Sequence, residues 1–226
     1  MKPTHPPPVV QWLDLAAWPR RSTFEYFRHF DKPYFSICTR LDVGRLEDRL
    51  RLRRGEGINL AVHHVALRLA NEQAPFRYRI DGDGVRVLPV VHGSLPVLRD
   101  DESLAFAHIE YQAGFAAFAQ AARAAIDGAR QPERVLGPLD DERDLMHFTT
   151  LPWINFTSFE HARNWGRDDS VPKVAFGRIT SDGPHRWLPM ALEVHHGLMD
   201  GLHVGRFVQG FEAALAEPEA WLGVEA

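Results

Sequence analysis

The chain has 226 residues, of which 45% are hydrophobic and 25% charged, and its formal net charge is −4. That length suits one substantial domain with a core of its own. The charge offers no basic face of the kind nucleic acid or an anionic membrane selects. One cysteine, Cys38, excludes an intramolecular disulfide and a cysteine-based metal site, and it fits a reducing, cytoplasmic compartment. The opening MKPTHPPPVV lacks a signal-peptide core, and no apolar run approaches the roughly 20 residues of a membrane helix.

In chain order, the Pro-rich residues 1–9 read as extended, because proline fixes φ and removes a donor. A short helix is predicted from Arg20 to Phe30 with Phe24, Phe27 and Phe30 on one face, ended by Pro33. Tyr34 to Leu41 alternates like a strand. Val43 to Arg54 is an amphipathic helix whose Arg49, Arg51, Arg53 and Arg54 read as a solvated face, broken by Gly55 and Gly57. Ile58 to Glu72 is a buried helix by its broad apolar face. Its His63-His64 pair is not at helical ligand spacing and reads as one buried and one exposed histidine.

Two strands, Phe76–Ile80 and Val85–Val91, flank an Asp81-Gly82-Asp83-Gly84 turn. Leu95–Leu98 is a further short strand, and Gly114 to Ile126 is a helix stopped by Gly128. Phe148–Phe156 is a strand. Lys173–Thr180 and Arg186–His195 form a hairpin around Ser181-Asp182-Gly183-Pro184. Asp200-Gly201 makes a sharp turn before an amphipathic helix from Leu202 to Leu215. Interleaved helices and strands point to an α/β or α+β fold. No repeat, low-complexity segment or mid-chain linker divides it, so one domain over 1–226 is expected.

The chemistry concentrates in Glu193-Val194-His195-His196-Gly197-Leu198-Met199-Asp200-Gly201. Two histidines end an apolar strand, and a carboxylate follows four residues after the second. Side chains at a strand end project into a cleft from a rigid support, and histidine accepts a proton near neutral pH.

This HHxxxDG pattern resembles the motif of the chloramphenicol acetyltransferases, of the acyltransferase cores of 2-oxo acid dehydrogenase complexes and of condensation domains. Three further segments narrow the resemblance to the first family. They are Trp18-Pro19-Arg20-Arg21-Ser22-Thr23-Phe24, the run Leu151-Pro152-Trp153-Ile154-Asn155-Phe156-Thr157-Ser158-Phe159, and Leu188-Pro189-Met190 with Asp200 to Arg206. The resemblance spans Trp18 to Leu215. It implies a two-layer α/β (α+β) sandwich, with a mixed β-sheet covered by helices as in CoA-dependent acyltransferases.

It also implies roles. His196 would be the general base that deprotonates an acceptor hydroxyl for direct attack on acetyl-CoA, the co-substrate, without an acyl-enzyme or a metal. Asp200 and Arg20 would form a buried ion pair bracing the histidine turn. His195 is taken as structural and His203 as a plain helix residue. Thr149 falls where the family has a serine hydroxyl that stabilises the oxyanion, and it reads equally as a β-branched strand residue. Trp153 and Arg178 match positions near CoA.

The substrate wall departs more from the family. Leu104 replaces a phenylalanine, His161 and Asp31 replace leucines, Pro33 a cysteine and Ala175 a threonine, and Tyr26-Phe27 inverts a Phe-Tyr order. The resemblance implies a homotrimer with the site between subunits, His196 facing a neighbour's Tyr26–Pro33 segment. Its acceptor would be a small hydroxylated molecule such as chloramphenicol. Three alternatives stand beside this. They are an acetyltransferase for another acceptor, one using a carrier-bound or lipoyl-linked thiol, and a trimeric binding homologue with weak or lost catalysis.

Overall fold

The computed structural model of the protein describes residues 10–52, 57–131, 144–163 and 169–223. The Pro-rich 1–9 segment and Arg53 to Gly55 therefore lie outside the described residues.

The chain opens with β1 (Gln11–Trp12), α1 (Arg21–Phe27), β2 (Tyr34–Asp42), α2 (Gly44–Arg51) and α3 (Ile58–Glu72). Then come β3 (Tyr78–Asp81), β4 (Gly84–Val87), β5 (His92–Leu98), β6 (Leu104–Ile109) and α4 (Phe115–Ala129). The second half holds β7 (Leu145–Thr150), β8 (Lys173–Phe176), β9 (Thr180–Asp182), β10 (His185–His195), α5 (Gly201–Ala216) and α6 (Glu219–Leu222). The main sheet runs β2-β10-β8-β7-β5-β6, with β9 paired to the start of β10, and β1-β4-β3 form a small second sheet. Among the described residues only the β8–β7 and β7–β5 pairings are parallel, so the main sheet is mixed as expected.

Strand alternation sorts the main sheet into two faces. Phe148 and Phe176 point to the helix layer, where His63 of α3 packs on both and Phe211 of α5 packs on Phe176. On β6, Ala105, Ala107 and Ile109 are buried beneath α4, which packs on that strand. The opposite face carries the alternate residues, among them His147, Thr149, Lys173, Ala175 and Glu193. Segment 157–163 covers part of it, through Ser36 Oγ donating to the Phe159 carbonyl (3.2 Å) and Lys173 Nζ donating to the Ala162 carbonyl (3.0 Å). The small sheet is tied to the main one by Arg79, a fully buried guanidinium that donates to the carbonyls of Phe76 (2.9 Å), Tyr78 (2.7 Å) and Leu145 (2.8 Å).

Several boundaries differ from the sequence expectations for local reasons. Helix α1 stops at Phe27, and of its expected apolar face only Phe24 is buried while Phe30 is exposed. Pro75 starts a 3₁₀ turn over Ala74–Arg77, which shortens the strand expected from Phe76. The second strand of that hairpin ends at Val87 rather than Val91. Helix α4 runs through Gly128 to Ala129. The expected 148–156 strand begins earlier and ends at Thr150, because Pro152 cannot donate to a ladder and a turn closes from the Ile154 amide to the Leu151 carbonyl. The 173–180 strand breaks at Gly177, where a Cβ would stand 2.7 Å from the Ile154 carbonyl oxygen. Strand β6 was not expected, since its Ala-rich alternation is weak. Among the described residues no helix is long and apolar enough to cross a membrane.

Both His63 and His64 are buried, which corrects the expectation that one would be exposed. The cause is that α3 is sandwiched, with His63 against the sheet and His64 against Phe115 and Phe118 of α4. Burial pushes the His63 imidazole down to about 4, and it lowers His64 as well. His147 and His195 are also held at about 4, chiefly by burial. Depressed folded-state values mean that these neutral histidines stabilise fully above the unfolded value of ~6.5 and lose that contribution as pH falls toward 4. The melting temperature is therefore expected to be flat above pH 7 and to fall steeply from pH 6.5 to 4. Differential scanning fluorimetry across that range checks it, and a His63→Phe variant should show a shallower fall.

Candidate active site

The second half of strand β10 is deeply buried, its run Met190-Ala191-Leu192-Glu193-Val194-His195 being buried throughout. It ends by turning over Gly197. The amides of Leu198 and Met199 both donate to the His195 carbonyl at 3.0 Å, and the Gly197 amide donates to His195 Nδ1 at 3.1 Å. A Cβ at Gly197 would lie 3.0 Å from His195 Cε1, so a larger residue there would press on that ring. The imidazole of His195 meets Tyr34 edge-on.

His196 is half-buried at the crest of this turn. Its amide donates to the Pro33 carbonyl at 2.7 Å, and the Met199 carbonyl lies 3.2 Å from its Nδ1. A carbonyl only accepts, so this contact selects the tautomer with the proton on Nδ1 and leaves a lone pair on Nε2. Phe27 stacks on the imidazole with centroids 3.9 Å apart and planes 12° apart, and Phe35 leans on it at 4.9 Å. Tyr26 packs on Phe27 but is largely exposed.

Arg20 braces the turn from below. Its Nη1 pairs with Asp200 Oδ2, and its Nη2 donates to the His196 carbonyl at 3.2 Å. Asp200 is also the N-cap of α5, accepting from the Leu202 amide at 3.0 Å. His203 completes the cap, its Nδ1 lying 3.1 Å from the Asp200 amide and 2.8 Å from Oδ1, so it does more than fill a helix position. Burial raises the Asp200 carboxyl, but Arg20 and the His203 hydrogen bond outweigh it and hold the group below the usual carboxylate range. The pair is only partly buried, with side-chain exposures of 17% for Arg20 and 34% for Asp200, which corrects the expectation of a buried ion pair. The cause is its position at the helix terminus, on the rim of the turn.

The fold thus gathers His196, Asp200, Arg20, Tyr26, Phe27 and Pro33. Within the chain the Tyr26–Pro33 segment packs on His196, because α1 leads directly into β2, the partner of β10.

The other expected site residues lie elsewhere. Thr149 and Ala175 are cross-strand partners in one row with Ala191, on the face away from the helix layer. Leu104 sits on β6, at the far edge of the sheet from β2, and is exposed. Arg178 lines a groove of 240 Å³ with Asn59, Thr150 and Phe176 near the start of α3. Its amide donates to the Ile154 carbonyl at 2.8 Å, beside an exposed Trp153. His161 lines a cavity of 540 Å³ whose walls include Tyr34, Phe35, Arg163 and Glu193. Sequence reasoning missed Phe35, Arg163 and Glu193. A lone glutamate inside an otherwise apolar strand was the available signal for the last.

The sequence profile described as chloramphenicol acetyltransferase matches residues 10–212. The chain is 27% identical to the chloramphenicol acetyltransferase of Streptomyces acrimycini over 219 residues, covering 96% of this chain and 99% of that one. It is 23% identical to chloramphenicol acetyltransferase 3 of Escherichia coli, covering 87% and 92%. A solved chloramphenicol acetyltransferase superposes with a TM-score of 0.81 at 28% identity, covering 91% of this chain and 99% of that chain. The dihydrolipoamide acetyltransferase of Azotobacter vinelandii shares the fold with a TM-score of 0.65 at 17% identity, over 89% and 88%. With its profile matched over most of its length and its fold that of the solved relative, the chain belongs to the chloramphenicol acetyltransferase family of acyltransferases.

Proposed function

We propose that this chain is a single acetyltransferase domain that moves the acetyl group of acetyl-CoA directly to a hydroxyl of a small acceptor, of which chloramphenicol is the reference case. The observation that carries the reading is His196, whose Nδ1 is committed to the Met199 carbonyl at 3.2 Å. Its Nε2 is the base. It takes the acceptor's hydroxyl proton as the oxygen bonds to the thioester carbonyl carbon. The tetrahedral adduct then breaks its C–S bond, and the imidazolium returns the proton to the departing thiolate. Stacking by Phe27 keeps the ring from rotating, which serves a base that must hold one geometry.

Arg20 and Asp200 are positioning residues that hold the turn. Thr149 is assigned to the oxyanion, and the Arg178 groove with Trp153 to acetyl-CoA. Tyr26, Phe27, Pro33, His161 and Ala175 are assigned to the acceptor side. The reading includes a cytoplasmic enzyme, supported by its single cysteine. It also includes a homotrimer, in which Leu104, exposed on the sheet edge, reaches a neighbour's site.

Three outcomes are expected. His196→Ala should lower thiol release from acetyl-CoA with chloramphenicol by about 10²–10⁴ while leaving the melting temperature close to wild type; turnover within threefold of wild type would remove the base assignment. Asp200→Ala deletes both the helix cap and the pair with Arg20. It should cost about 1–2 kcal/mol in urea unfolding and lower kcat more than it changes KM. Size-exclusion chromatography with light scattering should return three times the mass of one chain; a clean monomer would contradict the assembly.

A further inference from the structure

The carboxylate of Asp200 divides its two oxygens between different tasks. Oδ2 meets Arg20 Nη1, while Oδ1 takes the Leu202 amide at 3.0 Å and His203 Nδ1 at 2.8 Å. Burial raises the Asp200 carboxyl, but Arg20 and the His203 contact more than offset it, so the group is ionised at neutral pH and only accepts. His203 Nδ1 therefore carries a proton and donates it to Oδ1. The same nitrogen lies 3.1 Å from the Asp200 amide, and a protonated ring nitrogen cannot accept from it. An ordinary capping box needs the reverse, an acceptor at this third helical position for the N-cap amide, the part taken by glutamate or glutamine. His203 is the donor to the cap's carboxylate instead.

The start of α5 does not depend on that donor. The amides of His203 and Val204 reach the Asp200 carbonyl at 3.0 and 3.2 Å, and the Leu202 amide already satisfies the cap. What the second donor adds is direction. One amide leaves the carboxylate free to turn about its Cβ–Cγ bond, whereas two donors converging on Oδ1 fix its plane and aim Oδ2. Arg20 has no other anchor to compensate. Its Nε is buried without a hydrogen-bond partner among the described residues, so its hold on the turn rests on Nη1 to Oδ2 and on Nη2 to the His196 carbonyl at 3.2 Å. A carboxylate that turns away draws Nη1 with it and slackens Nη2. The contact of His196 Nδ1 with the Met199 carbonyl, also 3.2 Å, is at the long end of a hydrogen bond and has little slack to give.

We propose that His203 is a positioning residue for acetyl transfer. By donating to Asp200 Oδ1 it aims Oδ2 at Arg20, and Arg20 in turn fixes the His196 carbonyl and the turn that selects the tautomer of the base. His203 touches none of the reacting atoms and acts through three other residues. Its effect on turnover rests on the acetyltransferase reading, while its effect on the His196 ring can be read without any substrate.

Three substitutions separate aiming from capping. His203→Ala removes the side chain's polar atoms, His203→Glu supplies the acceptor of an ordinary capping box without a donor, and His203→Gln supplies both. Each is compared with wild type by thiol release from acetyl-CoA with chloramphenicol, by melting temperature, and by the ring nitrogen NMR shifts of His196, assigned against His196→Ala. His203→Ala and His203→Glu should lower kcat about tenfold or more with KM within about twofold, since small misplacements of a base are costly. His203→Glu should melt close to wild type, and His203→Gln should recover most of kcat. The ring shifts should report the Nδ1-protonated tautomer in wild type and His203→Gln, and a mixture of tautomers in His203→Ala and His203→Glu. A His203→Glu enzyme with wild-type kcat would mean that the residue only caps the helix, and would overturn the proposal. So would unchanged His196 shifts in His203→Ala, or a fall in kcat that tracks the melting temperature through all three variants. If wild type shows no His196-dependent release, the acetyltransferase reading fails and the ring shifts judge His203 alone. Tautomer mixing in His203→Ala and His203→Glu then supports the positioning role, and unchanged shifts overturn it.

Discussion

The turn between His195 and Asp200 is held by one guanidinium. Arg20 comes from the start of the described chain and meets Asp200 across 180 positions of sequence. Its fork reaches two things at once, the carboxylate that caps α5 and the carbonyl of His196. A planar group with fixed donor geometry suits this better than a lysine could, since one nitrogen positions the helix and the other the backbone of the histidine. The rest of the site follows. With the turn fixed, the His196 amide reaches Pro33, its Nδ1 reaches Met199, and its ring meets Phe27.

The two sides of β10 solve different problems. Toward the helices the strand presents Met190, Leu192 and Val194, and burial of such side chains drives the layers together. Toward the other face it presents Glu193, whose charge is tolerated only because Arg163 meets it directly with Lys173 and Asp169 close by. Removing Arg163 would leave the desolvated Glu193 carboxylate without its ion-pair partner, whereas Arg163 would keep Asp169 if Glu193 were removed. The pair is better understood as setting the chemistry of the adjoining cavity than as adding net stability.

Much of this was legible in the sequence, and the exceptions have physical causes. Helix α3 was read with its boundaries because its apolar face is broad and Gly57 precedes it. The histidine turn was legible because a strand, two histidines and an Asp-Gly cap stand in one short run. The end of β7 was misread because apolar residues continue past Pro152, and the missing amide outweighs them. The fate of His64 was hidden because α4, which buries it, is about 50 positions away in sequence; its carbonyl partners are 48 and 49 residues on. Arg163 carried no local signal at all. An arginine in a polar stretch looks solvated until the sheet supplies Glu193 and Tyr34 beneath it.

Among the described residues β10 is the last strand in chain order, and yet it sits inside the sheet, between β2 and β8. Its partner β2 pairs along nine positions, from Asp42 opposite Trp187 to Tyr34 opposite His195. A nascent chain therefore carries β2 with an unsatisfied edge until β10 emerges, and the sheet closes from its middle. Such long-range closure is slow, and open edges invite pairing with other chains. A ribosome stalled before residue 185 would leave β2 without the strand that joins it to the rest of the main sheet. Closure of the main sheet is thus tied to synthesis of residues 185–195, and the histidine turn comes into being only as that strand is inserted.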